Sequence, residues 1–162
     1  MTIIRKKLTK QMALPKIKQY CGYQERSHAE VKEKLYGFGL FKADVEELLS
    51  TLIEEDYLNE ERFACHFARG RFRLKKWGRV KIIYELKQKK VSAYNIKKAL
   101  QEIDEADYAA VLQKLAAEKW QLLKAEQYIN RQVKTINYLL QKGFEPGAAQ
   151  QAVKAVREKQ PL

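Results

Sequence analysis

One spacing of apolar residues occurs three times along the chain, and this repeat limits the folds that the chain can adopt. From Leu35, Leu86 and Leu139, apolar residues follow at offsets of 5, 10, 13, 14 and 17 in every copy. They are Leu40, Val45, Leu48, Leu49 and Leu52, then Val91, Ile96, Ala99, Leu100 and Ile103, then Phe144, Ala149, Ala152, Val153 and Val156. The copies are 51 and 53 residues apart, so the spacing predicts an all-α chain of three tandem three-helix repeats. Chance leucine periodicity in a helix-rich sequence is the alternative.

Local signals give the expected helix boundaries. Only 7 Gly and 3 Pro occur in 162 residues, which favours helices throughout. Pro15 suits the first turn of a helix, Ser27 with Glu30 matches a capping box, and Asn59 suits the N-cap of a helix that begins near residue 60. We expect repeats at residues 15–58, 59–103 and 104–157, with a basic N-terminal arm over 1–14 and a loose tail over 158–162.

The sequence contains no recognisable set of catalytic or metal-binding residues. It lacks nucleotide-binding glycine loops and any Ser/His/Asp or Cys/His set at a plausible spacing. The spacings of Cys21, Cys65, His28 and His66 favour structural thiols in a reducing compartment over a zinc site. No segment approaches the ~20 apolar residues of a membrane span. We therefore expect a cytoplasmic protein without enzymatic activity, metal or cofactor.

Basic residues concentrate in the middle of the chain. The net charge is +12, and residues 69–90 hold ten Lys or Arg against the single acid Glu85. This density predicts a surface for phosphates or for an acidic protein groove, where Trp77 could stack. The alternative makes the aromatic residues core and the bases a solvated face, and Arg71 lies near the apolar side of its helix. The candidate partner-binding residues are Arg62, Arg69, Arg71, Arg73, Lys75, Lys76, Trp77, Arg79, Lys81 and Lys87.

Acidic residues concentrate just before the basic ones. Residues 44–61 contain eight acids and no base. A metal site is one interpretation of this segment. A solvated helix face, or a contact for basic residues elsewhere in the chain, agrees better with the spacing of the acids.

Two central stretches carry a resemblance to a known family. Residues 57–64 read Tyr-Leu-Asn-Glu-Glu-Arg-Phe-Ala, and residues 77–91 read Trp-Gly-Arg-Val-Lys-Ile-Ile-Tyr-Glu-Leu-Lys-Gln-Lys-Lys-Val. Together they resemble the central signature of the bacterial RecX regulatory proteins, and residues 26–35 and 139–144 are similar to the flanking repeats of that family. Asp56, Asn59 and Lys90 depart from the family pattern, which usually has Gly, an acid and Gly at these positions. The residues that match the motif are Tyr57, Leu58, Asn59, Glu60, Arg62, Phe63, Ala64, Gly78, Ile82 and Leu86.

The resemblance implies a fold and a function. It implies an elongated, curved array of three-helix repeats that binds the RecA recombinase, both free and as a filament on DNA. Such a protein restrains strand exchange and ATP hydrolysis, meets DNA weakly or through the filament, and is expected to be monomeric. A direct nucleic-acid-binding module and a passive helical-repeat scaffold are the alternatives that the residues leave open.

Overall fold

The computed structural model describes residues 7–159, and these residues form nine helices and no strand. The helices are α1 (Lys10–Tyr23), α2 (His28–Gly37), α3 (Lys42–Glu54), α4 (Glu60–Lys75), α5 (Arg79–Gln88), α6 (Ala93–Leu100), α7 (Glu105–Leu122), α8 (Tyr128–Gln141) and α9 (Pro146–Lys159). The predicted all-α class, with tandem groups of three helices, is confirmed.

Helix caps explain where several helices begin. The predicted capping box of α2 is confirmed, because the Ser27 hydroxyl accepts from the N–H of Glu30 and the Glu30 carboxylate accepts from the N–H of Ser27. The expected start of α1 near Pro15 is wrong. The Thr9 hydroxyl accepts from the N–H of Met12 (3.2 Å), so the helix begins at Lys10 and includes part of the expected N-terminal arm. The first six residues of that expected arm lie outside the described residues.

The chain divides into two compact units. One contains the residues up to Phe67 together with Leu86–Ala99, and the other contains Ala68–Glu85 together with the residues from Leu100 onwards. In the first unit, α1, α2 and α3 pack together around Ile17, Leu35 and Leu52. In the second unit, α7, α8 and α9 pack around buried residues that include Trp120 and Phe144.

Burial agrees with the repeat found in the sequence. The anchors Leu35, Leu86 and Leu139 are each 0% exposed. The apolar positions after each anchor are buried, except that Leu49 and Leu100 are half-buried. Four residues before the third anchor stands Thr135, which is also 0% exposed and donates its hydroxyl hydrogen to the carbonyl of Arg131 (2.7 Å). A polar side chain is accommodated there because its hydrogen bond is made within the helix.

Within residues 7–159, three residues other than glycine have left-handed backbones, and two of them are departures from the RecX pattern. Asp56 has φ 60° and Lys90 has φ 63°, at positions where the family usually has Gly; Lys76 has φ 56°. The chain therefore keeps both turns without glycine. A side chain in this conformation costs roughly 1–2 kcal/mol relative to a right-handed one.

Candidate partner-binding surface

Three of the candidate residues lie around the indole ring of a fourth, Trp77, in the second unit. Trp77 follows the end of α4 and is half-buried. The Nζ of Lys81 lies 4.5 Å from the centre of its ring, the guanidinium carbon of Arg71 lies 5.5 Å from it, and the Nζ of Lys75 lies 5.7 Å from it. Each of these distances is within the range of a cation–π contact. We call these four residues the Trp77 cluster.

The loop that carries Trp77 is fixed by backbone contacts to the end of α8. The N–H of Trp77 donates to the carbonyl of Arg71 (3.2 Å), which closes the end of α4. The N–H of Gly78 then donates to the carbonyl of Lys142 (2.8 Å), and the N–H of Val80 donates to the carbonyl of Gly143 (2.9 Å). These two N–H groups are at the start of α5, and both donate to carbonyl groups at the end of α8. The N-terminus of α5 is therefore already hydrogen-bonded within the chain.

Gly78 and Gly143 allow this close approach. A Cβ on Gly78 would lie closer than 3.0 Å to backbone atoms of Gly143 and Phe144, a separation that real Cβ atoms essentially never show. Gly143 has φ 96°, and a Cβ there would collide with Lys81 in the same way. The position of Trp77 and Lys81 therefore depends on two glycines that are far apart in the sequence.

Arg79 belongs to a partly buried polar network rather than to the Trp77 cluster. Its N–H donates to the Tyr108 hydroxyl (3.0 Å), its guanidinium lies 3.9 Å from the centre of the Tyr108 ring, and it forms an ion pair with Glu105. The Tyr108 hydroxyl donates to the Glu145 carboxylate (2.9 Å). Burial raises the pKa of that hydroxyl well above its ordinary value, and the hydrogen bond to Glu145 raises it further. Tyr108 thus remains a neutral donor at physiological pH.

Two further arginines among the candidates are held by acids of the chain. In the first unit, Arg62 donates from Nε to Glu25 (2.7 Å), from one terminal nitrogen to the Asp56 carboxylate (3.0 Å) and from the other to the Asp56 carbonyl (3.1 Å). In the second unit, Arg69 pairs with Glu102 (3.4 Å). The Arg62 contacts hold the left-handed turn at Asp56 against the residues after α1, which makes Arg62 a structural residue.

The remaining candidates stay exposed or half-exposed. Arg73 and Lys87 are exposed, the latter in the first unit, and Lys76 is half-buried. Within residues 7–159, none of these three makes an ion pair, and neither do Lys75 and Lys81 of the Trp77 cluster. The sequence therefore identified the basic region. The structure shows which of its arginines form ion pairs with acids of the chain and which basic residues do not do so within that range.

Most residues of the family motif have structural roles. The buried members are Leu58, Phe63, Ala64, Gly78, Ile82 and Leu86. Asn59 caps α4 by accepting from the N–H of Arg62 (2.9 Å), as the sequence predicted. The Glu60 carboxylate accepts from the Asn95 side chain (2.6 Å) and fixes the start of α6. Tyr57 is 41% exposed, with the Nζ of Lys18 5.2 Å from its ring centre.

The aromatic residues of the basic segment differ in their environments. Phe72 is buried and stacks with Tyr108, their ring centres 5.9 Å apart, so it is a core residue. Tyr84 is 59% exposed. Among the three, only Trp77 lies at the edge of the fold within reach of several cations.

The acidic segment contacts basic residues of the first unit. Glu47 pairs with Lys10 (2.8 Å) and Glu55 pairs with Lys18 (2.7 Å). In the part of the chain that the structure describes, no group of His, Cys, Asp or Glu side chains has an arrangement that could hold a metal ion. None of the nine helices is long and apolar enough to cross a membrane.

These observations define the class of protein: an all-α protein of tandem three-helix repeats with a basic segment in its second repeat. Family models for the second and third three-helix domains of RecX match residues 59–100 and 105–153. The regulatory protein RecX of Prosthecochloris aestuarii is 33% identical over 83% of this chain and 86% of its own length. That of Herminiimonas arsenicoxydans is 29% identical over 86% and 89%. The chain belongs to the RecX family.

Solved structures agree with this assignment at the level of the fold. The crystal structure of RecX from Lactobacillus salivarius matches with a TM-score of 0.83 at 21% identity, covering 92% of this chain and 97% of that one. A second crystal structure of a regulatory protein RecX matches with a TM-score of 0.82, covering 90% and 73%.

Proposed function

We propose that this protein is a non-enzymatic regulator of recombination that binds RecA, both free and as a filament on DNA, and restrains strand exchange and ATP hydrolysis. Membership of the RecX family, over most of the chain, is the observation that carries the proposal. The regulator acts in the cytoplasm as a monomer. Its repeats are those bounded from the sequence, except that α1 begins at Lys10 and α9 continues to Lys159, into the predicted tail.

The charge distribution supports a partner with an anionic surface. The unpaired residues Arg73, Lys75, Lys76 and Lys81 lie in one segment at the end of α4 and the start of α5. Their positive charge attracts phosphates and carboxylates, both of which a recombinase filament on DNA presents. Arg62, Arg69 and Arg79 are held by acids of the chain and have supporting roles.

The test is the ATPase activity of RecA on single-stranded DNA with the protein added. We expect the rate to fall with increasing protein, and we expect the variant Arg73→Glu to inhibit less at every concentration. Arg73 is exposed and makes no ion pair within the described residues, so its reversal should change folding stability by less than about 1 kcal/mol. Lys154→Glu, on the exposed face of α9, has the same change in net charge and is the matched control.

Two results would count against the proposal. An unchanged ATPase rate at saturating protein would exclude the inhibition of RecA. Equal loss of inhibition in Arg73→Glu and Lys154→Glu would show that net charge, rather than the segment at the end of α4, governs binding.

A further inference from the structure

We propose that the Trp77 cluster is a binding site for single-stranded DNA, in which Arg71, Lys75 and Lys81 hold backbone phosphates and the accessible part of the Trp77 indole contacts a base. The inference deepens the proposed function, because a RecA filament is assembled on such a strand. It assigns the DNA, rather than the acidic surface of RecA, to this part of the molecule.

The cluster brings three positive charges to one aromatic side chain. Arg71 and Lys75 are four residues apart on α4 and therefore share a face, where like charges repel each other. Lys81, from α5, brings a third positive charge to the same ring. Contacts with the indole offset part of this repulsion, and a phosphate bound to Lys75 and Lys81 would reduce it further.

The chemistry of the two lysines of the cluster favours phosphate over carboxylate. Arginine is the side chain that best matches a carboxylate, and Arg69 and Arg79 are already paired with Glu102 and Glu105 of the chain. Lys75 and Lys81 make no ion pair with any acid in the described residues. Lysine binds phosphate as a point charge, without the fixed planar geometry that arginine brings to a carboxylate.

The position of Trp77 favours a single strand over a duplex. An aromatic side chain beside a basic surface is the usual arrangement of proteins that bind single strands, where each base has an accessible π-face. In a duplex those faces are stacked, so an indole at the edge of a loop would add nothing to phosphate contacts. A carboxylate surface has no aromatic face that could stack on the indole either.

Fluorescence can test the inference because the chain has two tryptophans with different environments. Trp120 is 2% exposed, whereas Trp77 is half-buried among the cations. We expect a short oligothymidylate to quench the parent protein and the variant Trp120→Phe, and to leave the fluorescence of Trp77→Phe nearly unchanged. The parent and Trp77→Phe alone give the answer if Trp120→Phe does not fold.

Affinity and its salt dependence provide a second measurement. The double variant Lys75→Ala/Lys81→Ala should bind oligothymidylate at least about tenfold more weakly at low salt. The slope of log affinity against log salt should become shallower by about 1.4, which is about 0.7 for each lost phosphate contact on a single strand. Lys114→Ala/Lys154→Ala removes the same charge from exposed positions of α7 and α9 in the same unit and should change both quantities much less.

Several outcomes would overturn the inference. One is that oligothymidylate fails to quench the tryptophan fluorescence, or that polyglutamate quenches it equally. Another is that a duplex binds with equal affinity and equal quenching, or that the two double variants lose equal affinity for oligothymidylate. Each of these results would contradict a single-strand site at Trp77. The ATPase assay with RecA separates this inference from the proposed function. Inhibition that persists without quenching would refute only the DNA site, whereas quenching without inhibition would refute only the regulation of RecA.

Discussion

Replacing Gly78 with alanine should destabilise the protein by about 3–5 kcal/mol. The new Cβ would lie closer than 3.0 Å to the backbone of Gly143 and Phe144, and backbone atoms cannot turn away as a flexible side chain can. Forcing a methyl group into packed structure costs about 1–3 kcal/mol. Relief of the clash separates α5 from the end of α8, which also removes the two backbone hydrogen bonds from Gly78 and Val80, at about 1 kcal/mol each.

Gly70 is the matched control for this substitution. It lies within α4 in the same unit, and a Cβ there would meet no heavy atom within 4 Å. Because alanine favours the helix over glycine, Gly70→Ala should stabilise the protein by up to about 1 kcal/mol. The same chemical change is therefore expected to have opposite signs at the two positions.

Thermal and urea unfolding followed by circular dichroism would measure both variants. At this chain length, the expected loss in Gly78→Ala corresponds to a decrease in Tm of roughly 10 °C. A Gly78→Ala protein as stable as the parent would refute the contact between the start of α5 and the end of α8. It would also remove the basis for the position of Trp77.

Three further predictions concern the core, a strained turn and a histidine. Leu86→Ala should destabilise the protein by roughly 2–5 kcal/mol in urea unfolding, because Leu86 is fully buried, and a near-neutral result would contradict its role as an anchor of the repeat. Lys90→Gly should stabilise the protein by about 0.5–1 kcal/mol, since φ 63° is unstrained for glycine, whereas Lys114→Gly in the interior of α7 should destabilise it by about 1 kcal/mol. Burial lowers the pKa of His28 below 6.5 despite the opposing charge of Glu60, so the unfolded chain binds the proton more readily. Stability should therefore be full above pH 6.5 and fall as the pH drops below it, and His28→Gln should show a smaller decrease in urea midpoint between about pH 7.5 and about pH 5 than the parent.

The sequence was sufficient to predict the class of fold and the buried residues. The offsets from Leu35, Leu86 and Leu139 identified positions that are buried, apart from the half-buried Leu49 and Leu100, because helix periodicity determines which side chains face a core. The capping signals at Ser27 and Asn59 were also correct, since a cap depends on residues only three apart. Helix periodicity and helix caps both depend on residues that are close together in the sequence.

The candidate site was predicted only in outline, because its geometry depends on contacts between distant residues. Charge density located the basic segment, but it could not show that Arg79 pairs with Glu105, 26 residues away, or that Arg62 pairs with Glu25, 37 residues away. Tyr108 gave no signal, because a single tyrosine on a helix does not reveal its partner Glu145. The Thr9 cap was missed for a different reason: Pro15 is a familiar mark of a helix start, and here it lies inside α1.

The contact between Gly78 and Gly143 has a consequence for the exchange of segments between relatives. Helices α7–α9 could be transplanted from another RecX protein only if the donor offers glycine at the position of Gly143 and the same two carbonyl groups at the end of α8. A donor with any other residue there would collide with Lys81 even if its own three helices pack well. The residues at the start of α5 and at the end of α8 therefore have to match each other, so the third repeat cannot be exchanged without regard to the second.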